Sequence, residues 1–109
     1  MEFEHQLVKG RGVKITINTD GQEIARGYLY VLHNDLREQP FGFIEDVFVD
    51  ENSRGQGIGA KLIQEIIEEA KRQGCYKIIA TSRHTNEIAH KFYEKLGFKN
   101  HGIEFRINL

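Results

Sequence analysis

The sequence predicts an α/β fold: a mixed, mostly antiparallel sheet with a central parallel βαβ pair and two helices covering it. Three observations carry this. Segments alternating apolar and polar residues fill the first half of the chain, two stretches with helical apolar spacing lie in the second half, and a short apolar run separates those two. A strand that follows a helix that itself followed a strand returns parallel to the first. The predicted order is ββ-β-α-β-α-β.

Val13 to Thr19, "VKITINT", alternates with β-branched residues and reads as a half-buried strand. Asp20-Gly21 supplies a tight turn, and "EIARGYLYVL", Glu23 to Leu32, is the partner strand of an antiparallel hairpin. A polar loop from Asn34 to Pro40 leads into the third strand, "FGFIEDVFVD", Phe41 to Asp50. Strict alternation puts Phe43, Glu45, Val47 and Val49 on one face of it and Ile44, Asp46, Phe48 and Asp50 on the other. Apolar residues at 58, 62, 63, 66, 67 and 70 then form a helical stripe that stops at Gly74. Tyr76 to Ser82, "YKIIATS", is a short strand. Asn86 caps the next helix, whose stripe is Ile88, Ala89, Phe92, Tyr93 and Leu96 and whose end is Gly97. The closing "GIEFRINL" alternates again and is expected as a last strand.

A length of 109 residues fits one domain, 1–109, because two would leave each half short of a core. A formal charge of −1 and the lack of an arginine-rich face give no reason to expect nucleic acid. No run approaches the ~20 apolar residues of a membrane span, and "MEFEHQLVKGRG" lacks a signal-peptide core, so no membrane partner is expected. Cys75 is the only cysteine, which excludes an internal disulfide and suits a reducing, cytoplasmic setting. His84 and His90 do not have the i, i+4 spacing of a helical metal pair, and no metal site is assigned.

The stretch "SRGQGIGAKLI", Ser53 to Ile63, places Gly55, Gly57 and Gly59 between a strand end and a helix start. Amides there have no intrahelical partner, and without Cβ atoms nearby an anion can reach them. The alternative is a glycine-rich turn needed only for close strand-to-helix packing. A P-loop is excluded, since Ala60, Lys61 and Leu62 stand where that motif requires Gly-Lys-Ser/Thr. Gly55-x-Gly57-x-x-Ala60 fits the loose dinucleotide pattern, but "KIIATS" lacks the acidic residue that would hold a ribose.

Arg54-x-x-Gly57-x-Gly59 after "EDVFVD", with "NEIAHKFYEKLGF" downstream, resembles the GNAT superfamily of N-acetyltransferases. The resemblance covers about Phe41 to Phe98, and "GFIEDVFVD", "GCYKII" and "KFYEKLGF" look most similar to glucosamine-6-phosphate N-acetyltransferases within it. The resemblance implies transfer of an acetyl group from acetyl-CoA to a primary amine, with no metal. It implies that amides from Arg54 through Gly55, Gln56, Gly57, Ile58, Gly59 and Ala60 hold the coenzyme pyrophosphate. Main-chain groups across Val47, Phe48 and Val49 would pair with the pantetheine arm. Tyr93 would protonate the departing thiolate, as a phenol with pKa near ~10 suits a thiol near ~8.5; the alternative is an ordinary core aromatic. Glu45 is the candidate base for the amine, or an acid that binds the acceptor or merely faces solvent. Asp46 would face the other way, and could meet the substrate if the strand bulges. Arg54 is either a phosphate-side cation or a solvated charge. Asn86 caps its helix, contacts pantetheine, or does both.

Two departures from the resemblance stand out. The helices that usually lie between the family's first strands are missing, so the acceptor site should be more open or be completed by a second subunit. Thr81 and Asn108 stand where the sugar-phosphate enzymes tend to carry an acid and an arginine. A homodimer is a further expectation, from the open edge of the last strand. The alternative function is a CoA-binding or protein-interaction module that has lost turnover.

Overall fold

Asp20 and Gly21 adopt φ of +52° and +78°, the two left-handed positions that let a two-residue turn follow the twist of a hairpin. They join β1 (Gly10–Thr19) to β2 (Gln22–Leu32) in an antiparallel ladder running from Thr19↔Gln22 to Gly10↔Leu32. These features come from a computed structural model that describes residues 1–109. β3 (Phe41–Val49) pairs antiparallel with β2, and β4 (Ile78–Ala80) pairs parallel with the start of β3, so the sheet order is β1-β2-β3-β4. A short 3-10 turn, Glu51–Ser53, and α1 (Ile58–Arg72) make the crossover from β3 to β4, and α2 (Glu87–Lys95) follows. The mixed sheet, its parallel pair and both helices are as the sequence predicts. No helix is long and apolar enough to cross a membrane.

The apolar stripe of α1 faces one side of the sheet. Leu62, Ile63, Ile66 and Ala70 are buried with Ala25, Leu29, Val31 and Ile44 in one cluster. Burying each large aliphatic side chain contributes roughly 1.5–3 kcal/mol. Helix and sheet approach so closely that a Cβ on Gly27 would lie 2.9 Å from Ile66 Cδ1. Alternation along β2 sends Arg26, Tyr28 and Tyr30 to the opposite face, which no helix covers.

α2 is fixed at both ends. The Asn86 side chain accepts from the Ala89 N–H at 3.1 Å, so the capping role expected of it is observed. At the C-terminus the N–H of Gly97 reaches the Glu94 carbonyl and that of Phe98 the Tyr93 carbonyl, both at 3.0 Å. Phe98 folds back on Tyr93 with ring centroids 5.3 Å apart, the apolar contact that accompanies such a stop.

Four expectations are corrected. The last strand is absent: residues 99–109 carry no secondary structure, and Ile103, Phe105 and Ile107 stand exposed. Alternation selects a face, but a strand also needs a neighbour for its main-chain groups, and this segment has none. β4 is shorter than Tyr76–Ser82, because it pairs only with Gly42, Phe43 and Ile44 before β3 bends away. Ile88 lies outside the packed stripe and is exposed, since α2 meets the core through Phe92, Tyr93 and Leu96. Finally, Glu45 does not share a face with Val47 and Val49.

That last correction comes from a bulge. Tyr28 pairs with Glu45 and Arg26 with Phe48, so Asp46 and Val47 together oppose the single residue Gly27. Asp46 takes φ of +50°, and the inserted residue inverts the parity of the strand. Phe43, Glu45 and Phe48 now lie on the open face with Tyr28 and Arg26, while Val47 and Val49 pack toward α1.

This packing predicts that Leu62→Ala lowers the free energy of unfolding by roughly 2–5 kcal/mol. Ile88→Ala should change it by less than about 0.5 kcal/mol. Urea denaturation followed by circular dichroism measures both, and an equal cost at the two sites would contradict the assignment of the core.

Candidate active site

The site begins where β3 hands over to α1. Gly55 and Gly57 adopt φ of +80° and +75°, and a Cβ on either would meet nothing within 4 Å. Close packing therefore does not account for them; a left-handed backbone with open space beside it does. Nor does packing require Gly59, whose Cβ would make only ordinary van der Waals contacts, at 3.5 Å from the Phe92 ring and 3.7 Å from Val49. Gly57 is the N-cap of α1 and supplies no side-chain acceptor. The first intrahelical bond runs from Lys61 N–H to the Gly57 carbonyl at 3.1 Å, which leaves the amides of Ile58, Gly59 and Ala60 without a protein partner. Their aligned dipoles favour negative charge at that point.

A cleft of about 590 Å³ opens onto these amides. Its walls are Val49, Ser53, Arg54, Gly55, Gly57, Ile58, Gly59, Ala60 and Gln64, with Phe92, Lys95 and Leu96 from α2. Arg54 and Lys95 add positive charge to the cradle. Gln56, whose amide was expected to take part, lies outside the lining.

The β3 edge beside the cleft is half vacant. Pairing with β4 ends at Ile44, so residues 45–49 have no strand on that side. Arg54 is exposed, its Nε donates to the Val49 carbonyl at 3.0 Å, and no acid pairs with it.

Across the strand lies a second concavity, of about 530 Å³, lined by Arg26, Tyr28, Tyr30, Asp46, Val47 and Phe48. Tyr28 and Tyr30 stack with centroids 6.4 Å apart, and the Arg26 guanidinium sits 4.7 Å above the Phe48 ring while pairing with Glu23 at 3.6 Å. Glu45 is exposed on this face, opposite Tyr28. The bulge thus brings Asp46 into a concavity, as expected only if the strand departed from regularity.

Tyr93 is half-buried between Phe92 and Phe98, at centroid distances of 5.4 and 5.3 Å. Burial raises its phenol above the ordinary value of 10.0, so it remains a neutral donor near neutral pH. It is not among the residues that line the cleft. Burial likewise raises the Cys75 thiol, which argues against an activated nucleophile there. Sequence spacing missed Phe92, Lys95 and Leu96 as cleft residues, although their i, i+3, i+4 spacing places them on one helix face. It also missed Arg26, Tyr28 and Tyr30, whose signal was the non-aliphatic side of the β2 alternation.

Residues 2–98 match the Acetyltransferase (GNAT) family. The chain is 46% identical over 68 residues to glucosamine 6-phosphate N-acetyltransferase of Trypanosoma brucei brucei, covering 62% of this chain and 44% of that protein. It is 36% identical over 87 residues to the Arabidopsis thaliana enzyme of the same name, covering 79% and 56%. The chain therefore spans about half the length of these curated relatives. Among solved structures, a Trypanosoma brucei acetyltransferase superposes with a TM-score of 0.83 at 34% identity, over 90% of this chain and 69% of the other.

The left-handed backbone at Gly57 predicts that Gly57→Val destabilises the fold by roughly 1–2 kcal/mol more than Gly57→Asn, because asparagine tolerates that conformation. Thermal denaturation distinguishes them, and equal losses would place the cost elsewhere. A second expectation follows from Tyr93. Its folded-state pKa lies above the unfolded value of about 10, so its contribution to stability is intact below pH ~10 and is lost as pH rises through the folded value. Denaturant unfolding at stepped alkaline pH should show that loss in the unaltered protein and a shallower one in Tyr93→Phe.

Proposed function

We propose, on the premise that this chain belongs to the GNAT acetyltransferase family, that it transfers an acetyl group from acetyl-CoA directly to a primary amine. One observation carries the reading: unpartnered amides at Ile58, Gly59 and Ala60 adjoin an unpaired strand edge at Val47 and Val49. The first suits a pyrophosphate, and the second suits an extended arm bearing amides. A single ligand that has both chemistries is coenzyme A.

In this reading the thioester lies near the bulge, where the Val47 amide polarises its carbonyl. The amine approaches from the open face and loses a proton to Glu45, directly or through water. Its nitrogen then forms a bond to the acetyl carbon as the carbon–sulfur bond breaks. Tyr93 gives a proton to the departing sulfur, a role that its neutral phenol supports, and the second proton that the nitrogen sheds as it becomes an amide restores the phenol. Asp46 is the competing base, since the bulge turns it into the concavity with Tyr28, Tyr30 and Phe48.

The relatives' names make glucosamine 6-phosphate the first acceptor to test, while Thr81 and Asn108 leave amines without phosphate in the panel. A second reading, a CoA-binding module without turnover, is favoured by the uncovered face around Tyr28 and Tyr30, where no element encloses an acceptor.

Titration calorimetry with acetyl-CoA followed by amine-dependent release of free thiol tests both. Binding should be lost in Gly57→Val, and Tyr93→Phe should reduce kcat by roughly 100-fold or more with little change in binding. Whichever of Glu45→Gln and Asp46→Asn removes the acidic limb of the kcat/KM profile identifies the base. Binding without any amine-dependent release would establish the second reading, and no binding would remove the first altogether.

A further inference from the structure

We infer that Arg54 is a latch on the strand edge: its guanidinium occupies the Val49 carbonyl until an anion in the glycine cradle draws it away. This rests on the coenzyme reading and adds a coupling between the two halves of the ligand. The direction of the carbonyl follows from its own peptide unit. The Asp50 N–H donates to the Ile24 carbonyl on β2 at 2.7 Å. Across a trans peptide the Val49 carbonyl must point the opposite way, off the sheet and into the gap where β4 has already ended. By strand alternation Val47 turns its main-chain groups to the same gap. An arriving strand-like ligand would use these groups, and Arg54 Nε already fills one of them at 3.0 Å.

The latch is held weakly and placed close to a better partner. Every ion pair in the molecule involves other residues, so the Arg54 charge has only neutral partners, the Val49 carbonyl and the Phe48 ring 6.0 Å away. Arg54 lines the same cleft as Gly55, Gly57 and the unpartnered amides of α1. The bond to the Val49 carbonyl has one charged partner and a bond to an anion has two, so an anion on those amides competes for the guanidinium. Its departure leaves the Val49 carbonyl unpaired, ready to accept from an amide of the ligand arm. Occupation of the cradle therefore favours occupation of the edge, and the effect is reciprocal.

The test uses inorganic pyrophosphate as the cradle probe and pantetheine as the arm probe. In the unaltered protein, saturating pyrophosphate should tighten pantetheine by about 5-fold or more. In Arg54→Met, which keeps the aliphatic stem and removes the donors, pantetheine alone should already bind that tightly and pyrophosphate should add nothing. The carbonyl carbon-13 shift of Val49 gives a readout independent of pantetheine affinity: pyrophosphate should move it toward its position in Arg54→Met. An unmoved shift, pyrophosphate that does not bind, or weaker pantetheine binding in Arg54→Met would overturn the latch. If acetyl-CoA itself binds normally in that case, the coenzyme reading survives; if it does not bind, both fall.

Discussion

The left-handed backbone of Asp46 is the constraint on which the rest of the arrangement depends. Two residues of β3, Asp46 and Val47, stand against the single Gly27 of β2, and the parity of the strand inverts at that point. Before the bulge β3 is an ordinary inner strand, paired on both sides, with Ile44 in the core. After it the strand keeps β2, loses β4 and carries Val47 and Val49 toward α1. The same inversion puts Glu45 and Phe48 on the uncovered face. A non-glycine residue in that conformation costs on the order of 1–2 kcal/mol, which the buried side chains of one helix turn offset. Held strain of this kind is characteristic of sites where a strand must present something other than its regular ladder.

Much of the fold was legible because local signals agreed with the packing that followed. Asp20-Gly21 supplied the two left-handed positions of the hairpin, the stripe from Ile58 to Ala70 matched the buried face of α1, and Asn86 and Gly97 marked the ends of α2. The bulge was not legible. "FIEDVFV" alternates plausibly on either side of Asp46, and parity arguments assume that no residue is inserted; adjacent acids inside an apolar strand were the only hint. The length of β4 and the fate of "GIEFRINL" failed for a related reason. Both are decided by whether a neighbouring edge is available, and a single segment's own pattern does not contain that information.

The glycine segment is set by its backbone more than by its neighbours. Gly55 and Gly57 are set by left-handed backbone conformation, with empty space outside them, while a Cβ on Gly59 would make only ordinary contacts with Phe92 and Val49. The sequence offered cradle and packing turn as alternatives, and none of the three residues is crowded enough to support the packing turn. Lys95 enters the cleft only through the placement of α2, far along the chain, and so no local reading of the loop could have included it.

The two helix starts make the functional argument sharper than either does alone. α2 begins with an asparagine that satisfies the Ala89 amide, the ordinary solution, worth about 1 kcal/mol over an alanine. α1 begins with a glycine that supplies no side-chain acceptor, in a left-handed conformation from which the usual N-cap side chains do not act. The glycine leaves the longer helix of the pair less well terminated in isolation, and in return leaves its first amides available to an anion from outside the chain. That choice, made at the one helix terminus that adjoins a vacant strand edge, is what distinguishes a binding cleft from a turn.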